Sequence, residues 1–220
     1  MLLYIIRHAD PDYAHNTITE FGWEEARALA AYLKDVEIDK IYTSPLGRAI
    51  DTATPTCEIK GMDYTVLPWT AESMDYMAPN NRPGNMSYRC SFTNGVEDYT
   101  DFSNVPRNGS IEKMIKSSDE FLASLGYVRE GLMYRVVEPN HSKIAVFCHG
   151  GFGSAWISHL LLRPAELGFT DISLPTTSIS TFSFGNTPRY PEHGNRIIPM
   201  CKGIGATFHI DLAGLRHNNR

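Results

Sequence analysis

At 220 residues with 42% hydrophobic content, the chain is long enough for one large domain, or a domain with an insertion, around an ample core. Its formal net charge of −5 argues against a nucleic-acid partner, which requires a basic face. No apolar run approaches the roughly 20 residues of a membrane span.

The chain opens on a short apolar run, Leu2–Ile6, that Arg7, His8 and Asp10 end at once. That run is too short for a signal-peptide core, so the expectation is a cytoplasmic protein with no membrane partner. Rich in Ile and Tyr, it reads as a central strand covered on both faces. Ligands bind at the carboxyl ends of strands in open α/β sheets, and an Arg-His pair at such an end suits an anion such as phosphate.

Asp10–Asn16 is loop material, with Pro11 fixing an extended or turn step. Thr19 is an N-cap for a helix whose core stripe is Gly22, Ala26, Leu29, Ala30 and Leu33. Asp39–Thr43 forms a short strand, after which Ser44 caps a helix with Pro45 as its first residue. Arg48 falls in the first turn of that helix, where a cation opposes the macrodipole. The placement makes sense if an anion sits beside it. Tyr64–Leu67 is a further strand, ended by Pro68.

From Ser73 to Gly109 the composition changes. Asn, Pro and Gly are frequent, with Tyr76, Tyr88, Phe92, Tyr99 and Phe102 scattered among them. So long a loop with aromatics reads as an ordered cap. Ser110 then caps a helix running to Gly126, and Leu132–Val137 prolongs the helical region. Ile144–Cys148 is a second buried strand, meeting His149, Gly150 and Gly151, and a helix follows from about Phe152 to Leu162. Thr177–Phe184 alternates like a strand, and Ile197–Met200 and Thr207–Ile210 read as others, with Gly185–Asn195 as a hairpin loop. Arg216–Arg220 is a frayed tail. The four cysteines, Cys57, Cys90, Cys148 and Cys201, have no C-x-x-C spacing and read as free thiols in a reducing compartment.

Alternating strands and helices predict a single α/β domain over 1–220, a doubly wound, mostly parallel sheet with helices on both faces and 73–109 as an inserted cap. In that frame the strands ending at Arg7-His8, Thr43-Ser44 and His149 converge. Arg7, Arg48 and His149 then surround an anion, and the N–H groups at Gly150-Gly151 and the helix start add their dipoles.

Arg7-His8-Ala9, Ile18-Thr19-Glu20-Phe21-Gly22 followed by Glu25-Ala26, Ser44-Pro45-Leu46-Gly47-Arg48-Ala49 with Thr52-Ala53, and His149-Gly150 stand in the order seen in the histidine phosphatase superfamily, which includes the phosphoglycerate mutases. The chain resembles that family from about Leu2 to Leu162 apart from an unmatched middle, with Ala9 where the family usually has Gly. The resemblance implies that His8 is a nucleophile that becomes phosphorylated, that Arg7, Arg48 and His149 hold the phosphoryl group, and that Asn16 contacts phosphate. It implies a general acid shortly after the third strand, for which Glu72 is the best match and Asp75 the rival. The expected partner is a small phosphorylated substrate with no metal or other cofactor, and a homodimer is allowed for.

Three rival readings stand beside the phosphatase. Phosphoglycerate mutases carry a long Trp- and Asn-rich segment after the first histidine that Asp10–Thr17 lacks. A metallohydrolase using His8, Asp10, His15 and His149 would set Arg7 and Arg48 against a cation, and no helical metal-ligand spacing supports it. An inactive phospho-ligand binding module would not need both histidines, both arginines and Glu72. His15 in the first loop is placed to touch substrate and His209 lies near a final strand, whereas His141, His159, His193 and His217 read as surface or structural. Arg82, Arg89 and Arg107 in the cap are candidates for reading a second anionic group on the substrate.

Overall fold

The computed structural model describes residues 1–73, 76, 109–186, 192 and 194–216. Most of the expected cap, 73–109, falls outside the described residues, as do Asp75, Arg82, Arg89, Arg107, Cys90, His193, His217 and most of the 185–195 loop. A six-stranded sheet runs through the centre. Its strands are β1 (Leu2–Arg7), β4 (Lys40–Thr43), β5 (Tyr64–Val66), β8 (Lys143–Cys148), β9 (Ile179–Ser183) and β11 (Met200–Ala206), in the order β11-β9-β1-β8-β4-β5. Between β1 and β4, the short strands β2 (Pro11–Asp12) and β3 (Thr17–Ile18) form a separate antiparallel pair. β1, β8, β4 and β5 are parallel, and β9 runs antiparallel to both β1 and β11.

The alternation along β1 divides the core. Leu3 and Ile5 join Ile144 and Val146 of β8 against Phe152 and Trp156 of α4 (Gly150–Leu160) and against Ile111, Met114, Phe121 and Leu122 of α3 (Gly109–Ser124). Ile6, on the opposite face, joins Ala145, Phe147 and Ile179 against Leu29 and Leu33 of α1 (Glu20–Leu33) and Ala53 and Cys57 of α2 (Gly47–Lys60). With apolar side chains on both faces, β1 and β8 occupy the centre of a doubly wound sheet. Thr19 caps α1 by accepting from the Gly22 N–H at 3.0 Å, and the expected stripe of Gly22, Ala26, Leu29, Ala30 and Leu33 is buried.

Four elements differ from the expectations. Ile197–Met200 is not one strand, because Ile197 and Met200 belong to separate strands in different sheets. Leu132–Val137 is not helical: Tyr127–Glu130 (β6) and Met133–Val136 (β7) form an antiparallel hairpin that also pairs with β10 (Arg196–Ile197). Its two-residue turn places Gly131 at φ 61°, the left-handed conformation that glycine accommodates at no steric cost. Tyr127, Tyr134 and Val136 face inward, a period of two that short apolar runs conceal. Thr207–Ile210 is not a strand, because Phe208–Leu212 forms a short helix, α5, burying His209 and Ile210. Ser44 does not cap α2. The helix begins at Gly47 with Leu46 at the N-cap position and no side-chain cap, because the Ser44 hydroxyl is engaged elsewhere.

Among the described residues, no helix is long and apolar enough to cross a membrane. Cys57, Cys148 and Cys201 are free thiols.

Candidate active site

The parallel register brings three strand ends to one level. Arg7 lies opposite Cys148, and Thr43 opposite Phe147. One residue further, the His8 N–H donates to the Cys148 carbonyl (2.9 Å) and the Ser44 N–H to the Phe147 carbonyl (2.8 Å). His8 and His149, far apart in sequence, therefore come together with ring centroids 5.2 Å apart.

His8 is almost fully buried, at 2% exposure. Its Nδ1 lies 2.7 Å from the Ala9 carbonyl, which can only accept, so Nδ1 carries the proton and Nε2 keeps its lone pair. Burial, reinforced by the charges of Arg7 and Arg48, lowers its pKa to about 3 against the hydrogen bond to Ala9. The ring is a neutral base at any physiological pH. Thr52 of α2 fixes the turn: its hydroxyl accepts from the Ala9 N–H (2.9 Å) and donates to the Arg48 carbonyl (2.6 Å). On the other side the Thr177 N–H donates to the His8 carbonyl at 3.2 Å.

His149 is the N-cap residue of α4 and is wholly buried. Its Nε2 lies 2.6 Å from the Ser44 hydroxyl, while its Nδ1 has no partner among the described residues. Burial first, then the charges of His8, Arg48 and Arg7, push its pKa down to about 2, so this ring is neutral too.

Arg48 projects from the first turn of α2 and is held from outside. Its Nη1 donates to Asn16 Oδ1 at 3.4 Å, and its guanidinium lies 5.4 Å from the centre of the Tyr13 ring. Asn16 itself adopts φ 52°. Its carbonyl sits so close to Gly47 that a Cβ there would come within 2.1 Å of it, so only glycine lets the first loop and α2 meet. Arg7 donates through Nη1 to the Leu174 carbonyl. Burial lowers the pKa of both guanidiniums, yet an arginine stays charged.

Glu72 stands across the mouth of α4. Its carboxylate accepts from the N–H groups of Gly151 (2.9 Å) and Phe152 (2.9 Å), and from that of Ser73 at 3.3 Å. Of the N–H groups expected to add their dipoles toward an anion, the Gly151 donor at the positive end of α4 is taken up by Glu72. The placement of Gly150 has a steric reason, because a Cβ there would come within 3.2 Å of Arg7 Nε. Burial raises the Glu72 pKa and outweighs the backbone hydrogen bonds and Arg48, which pull it down.

Arg7, His8, Arg48, Glu72 and His149 thus cluster together, with Asn16 beside Arg48. His15 is exposed and paired with Asp12 at 2.7 Å. His141 is exposed, and His159 is buried beside Asp119, with Nε2 3.2 Å from its Oδ1. His209 lies behind the site: its Nε2 donates to Thr177 Oγ1 at 2.8 Å, because that hydroxyl gives its own proton to the Thr176 carbonyl. Among the described residues there is no group of three or more His, Cys, Asp or Glu that could hold a metal ion.

Glu25 belongs to the helix-entry motif, and the structure gives it a specific place. It is buried on the apolar stripe of α1, accepting from the Asp10 N–H (2.7 Å) and the Thr176 hydroxyl (2.6 Å), and so pins the loop after His8. A carboxylate at a core-facing helical position was the available signal.

A sequence model described as the histidine phosphatase superfamily (branch 1) matches residues 3–82. Among solved structures, phosphoserine phosphatase from Entamoeba histolytica in complex with 3-phosphoglyceric acid superposes with a TM-score of 0.63 at 20% identity, covering 95% of this chain and 98% of that one. Mycobacterial glucosyl-3-phosphoglycerate phosphatase gives 0.60 at 19% identity, over 93% and 98%. A putative alpha-ribazole-5'-P phosphatase from Escherichia coli gives 0.58 at 20%, over 94% and 98%. At such identities the likeness is one of fold. No curated protein matches the sequence.

Proposed function

From the match of residues 3–82 to the histidine phosphatase superfamily model, we propose that the chain is a phosphomonoesterase of that superfamily, working through a phosphohistidine on His8. The observation that carries this reading is the Nδ1–Ala9 hydrogen bond, which leaves His8 Nε2 unprotonated in a pocket with two guanidiniums. The Nε2 lone pair attacks phosphorus and the bond to the leaving oxygen breaks. The Glu72 carboxyl delivers its proton to that oxygen. Water then attacks the phosphohistidine, Glu72 takes a proton from it, and the N–P bond breaks to restore neutral His8. Arg7, Arg48 and His149 stabilise the charge on the equatorial oxygens, so the positive charge comes from the protein and no resident metal is needed.

The substrate class is a small phosphorylated metabolite, in keeping with the phosphoserine and 3-phosphoglyceric acid named in structures of the same fold. Residues 73–109 follow directly on Glu72 and are proposed as the cap of a single domain that chooses among such substrates. Exchanging them for a short linker should reorder activity across a panel of phosphomonoesters; an unchanged order would remove that role. For the chemistry itself, denaturing quench during turnover should trap an acid-labile, base-stable phosphoenzyme that His8→Ala lacks. Wild-type rates in His8→Ala would overturn the assignment.

A further inference from the structure

We propose that Ser44 is a positioning residue that holds His149 in the tautomer protonated on Nδ1, so that the ring offers an N–H to a phosphoryl oxygen. This role deepens the phosphatase reading and rests on it, but its central observable does not depend on activity.

The argument follows one proton. Ser44 is wholly buried, so its hydroxyl has no recourse to water. Its oxygen accepts from the Leu46 N–H at 3.3 Å, and its proton needs an acceptor. Among the described residues the one within reach is His149 Nε2, at 2.6 Å. The hydroxyl therefore donates, Nε2 supplies the lone pair, and the neutral ring carries its proton on Nδ1. The reverse tautomer would leave the buried hydroxyl proton with no acceptor. A charged ring, with protons on both nitrogens, is opposed by burial and by Arg7 and Arg48.

That Nδ1–H is itself buried and unpartnered among the described residues. An orphaned donor in a protein interior needs an explanation, and an anionic oxygen placed among Arg7, Arg48 and His8 supplies one. The two histidines then divide the work by tautomer. Each carries its proton on Nδ1, but His8 gives that proton to its own chain and exposes a nucleophilic Nε2, whereas His149 gives Nε2 to Ser44 and keeps Nδ1–H for the substrate. Ser44 is well placed for the task. Its backbone N–H is bonded to the carbonyl of Phe147, two residues before His149, so hydroxyl and imidazole are held just beyond the ends of adjacent strands.

Long-range nitrogen–proton NMR of the ¹⁵N-histidine-labelled protein, assigned by loss of the signal in His149→Gln, tests this directly. The expected wild-type pattern is a protonated Nδ1 and an unprotonated Nε2. In Ser44→Ala the Nδ1–H population should fall. kcat should drop about 10- to 100-fold, at or below the usual cost of losing one preorganised donor, with KM changed less than about threefold, and Ser44→Thr should recover both readouts. A proton on Nε2 in the wild type overturns the proposal, and so does a Ser44→Ala protein with an unchanged tautomer, whatever its kcat. If Ser44→Ala fails to fold, the wild-type spectrum still decides. A protein that shows the expected tautomer but hydrolyses no phosphomonoester would sink the phosphatase reading and leave the tautomer assignment standing.

Discussion

Two neutral imidazoles buried beside two guanidiniums make the fold sensitive to acid in a calculable way. Folding holds His8 at a pKa of about 3 and His149 at about 2, against 6.5 for an unrestrained side chain. Between those values the unfolded chain binds protons that the native protein refuses, so stability falls as pH drops below 6.5. At pH 5 each ring costs roughly 2 kcal/mol relative to pH 7.5, or about 4 kcal/mol for the pair. That is a large share of the 5–15 kcal/mol typical of a folded domain. Urea unfolding at pH 7.5 and pH 5, in buffers free of phosphate, measures the difference. The comparison that isolates these two groups is with the His8→Gln/His149→Gln double variant, whose acid loss should be smaller than wild type by about 4 kcal/mol. If the two proteins lose the same stability within about 1 kcal/mol, the rings are not held neutral as described and the tautomer argument falls with them.

The general-acid role predicts a leaving-group effect. Glu72→Gln should slow hydrolysis of an alkyl phosphate far more than that of p-nitrophenyl phosphate, whose nitrophenolate needs little protonation. With its pKa raised, Glu72 loses its proton as pH rises, so the wild-type rate on alkyl phosphates should fall on the alkaline side and the variant should lack that limb; equal losses on both substrates would leave Glu72 a purely structural part. Gly47→Ala should drive a methyl group into the Asn16 carbonyl and displace the support of Arg48. A stability loss of about 1–3 kcal/mol, with weakened binding of vanadate, is expected by thermal unfolding and inhibition, and a wild-type vanadate affinity would refute it.

The parts of the site carried by strand ends were legible because a buried parallel strand is a continuous apolar run and its carboxyl end is marked by the first charges. Leu2–Ile6 before Arg7-His8 and Ile144–Cys148 before His149 are of that kind. Parts set by tertiary contact were not. Ser44 before Pro45 has the local look of a helix cap, and nothing nearby in sequence shows that its hydroxyl is drawn to a histidine on the neighbouring strand. Gly150-Gly151 at a helix start looks like an anion cradle, and only the fold shows Glu72 at its donors. The β6–β7 hairpin was hidden for another reason: its runs are four residues each, too short for a period of two to stand out from a period of 3.6.

The position of β1 has a consequence for the birth of the protein. The strand is made well before its two partners, β8 and β9, which begin at Lys143 and Ile179. At ribosomal speeds of roughly 5–20 residues per second, Leu3, Ile5 and Ile6 wait on the order of 10–30 s before residues 143–148 exist to pair with them. Through that interval the emerging chain presents an unpaired apolar edge, the kind of surface that holdase chaperones shield and that seeds aggregation when they are scarce. The central place that gives this strand two neighbours, and gives the site an arginine and a histidine, also leaves it exposed through much of synthesis.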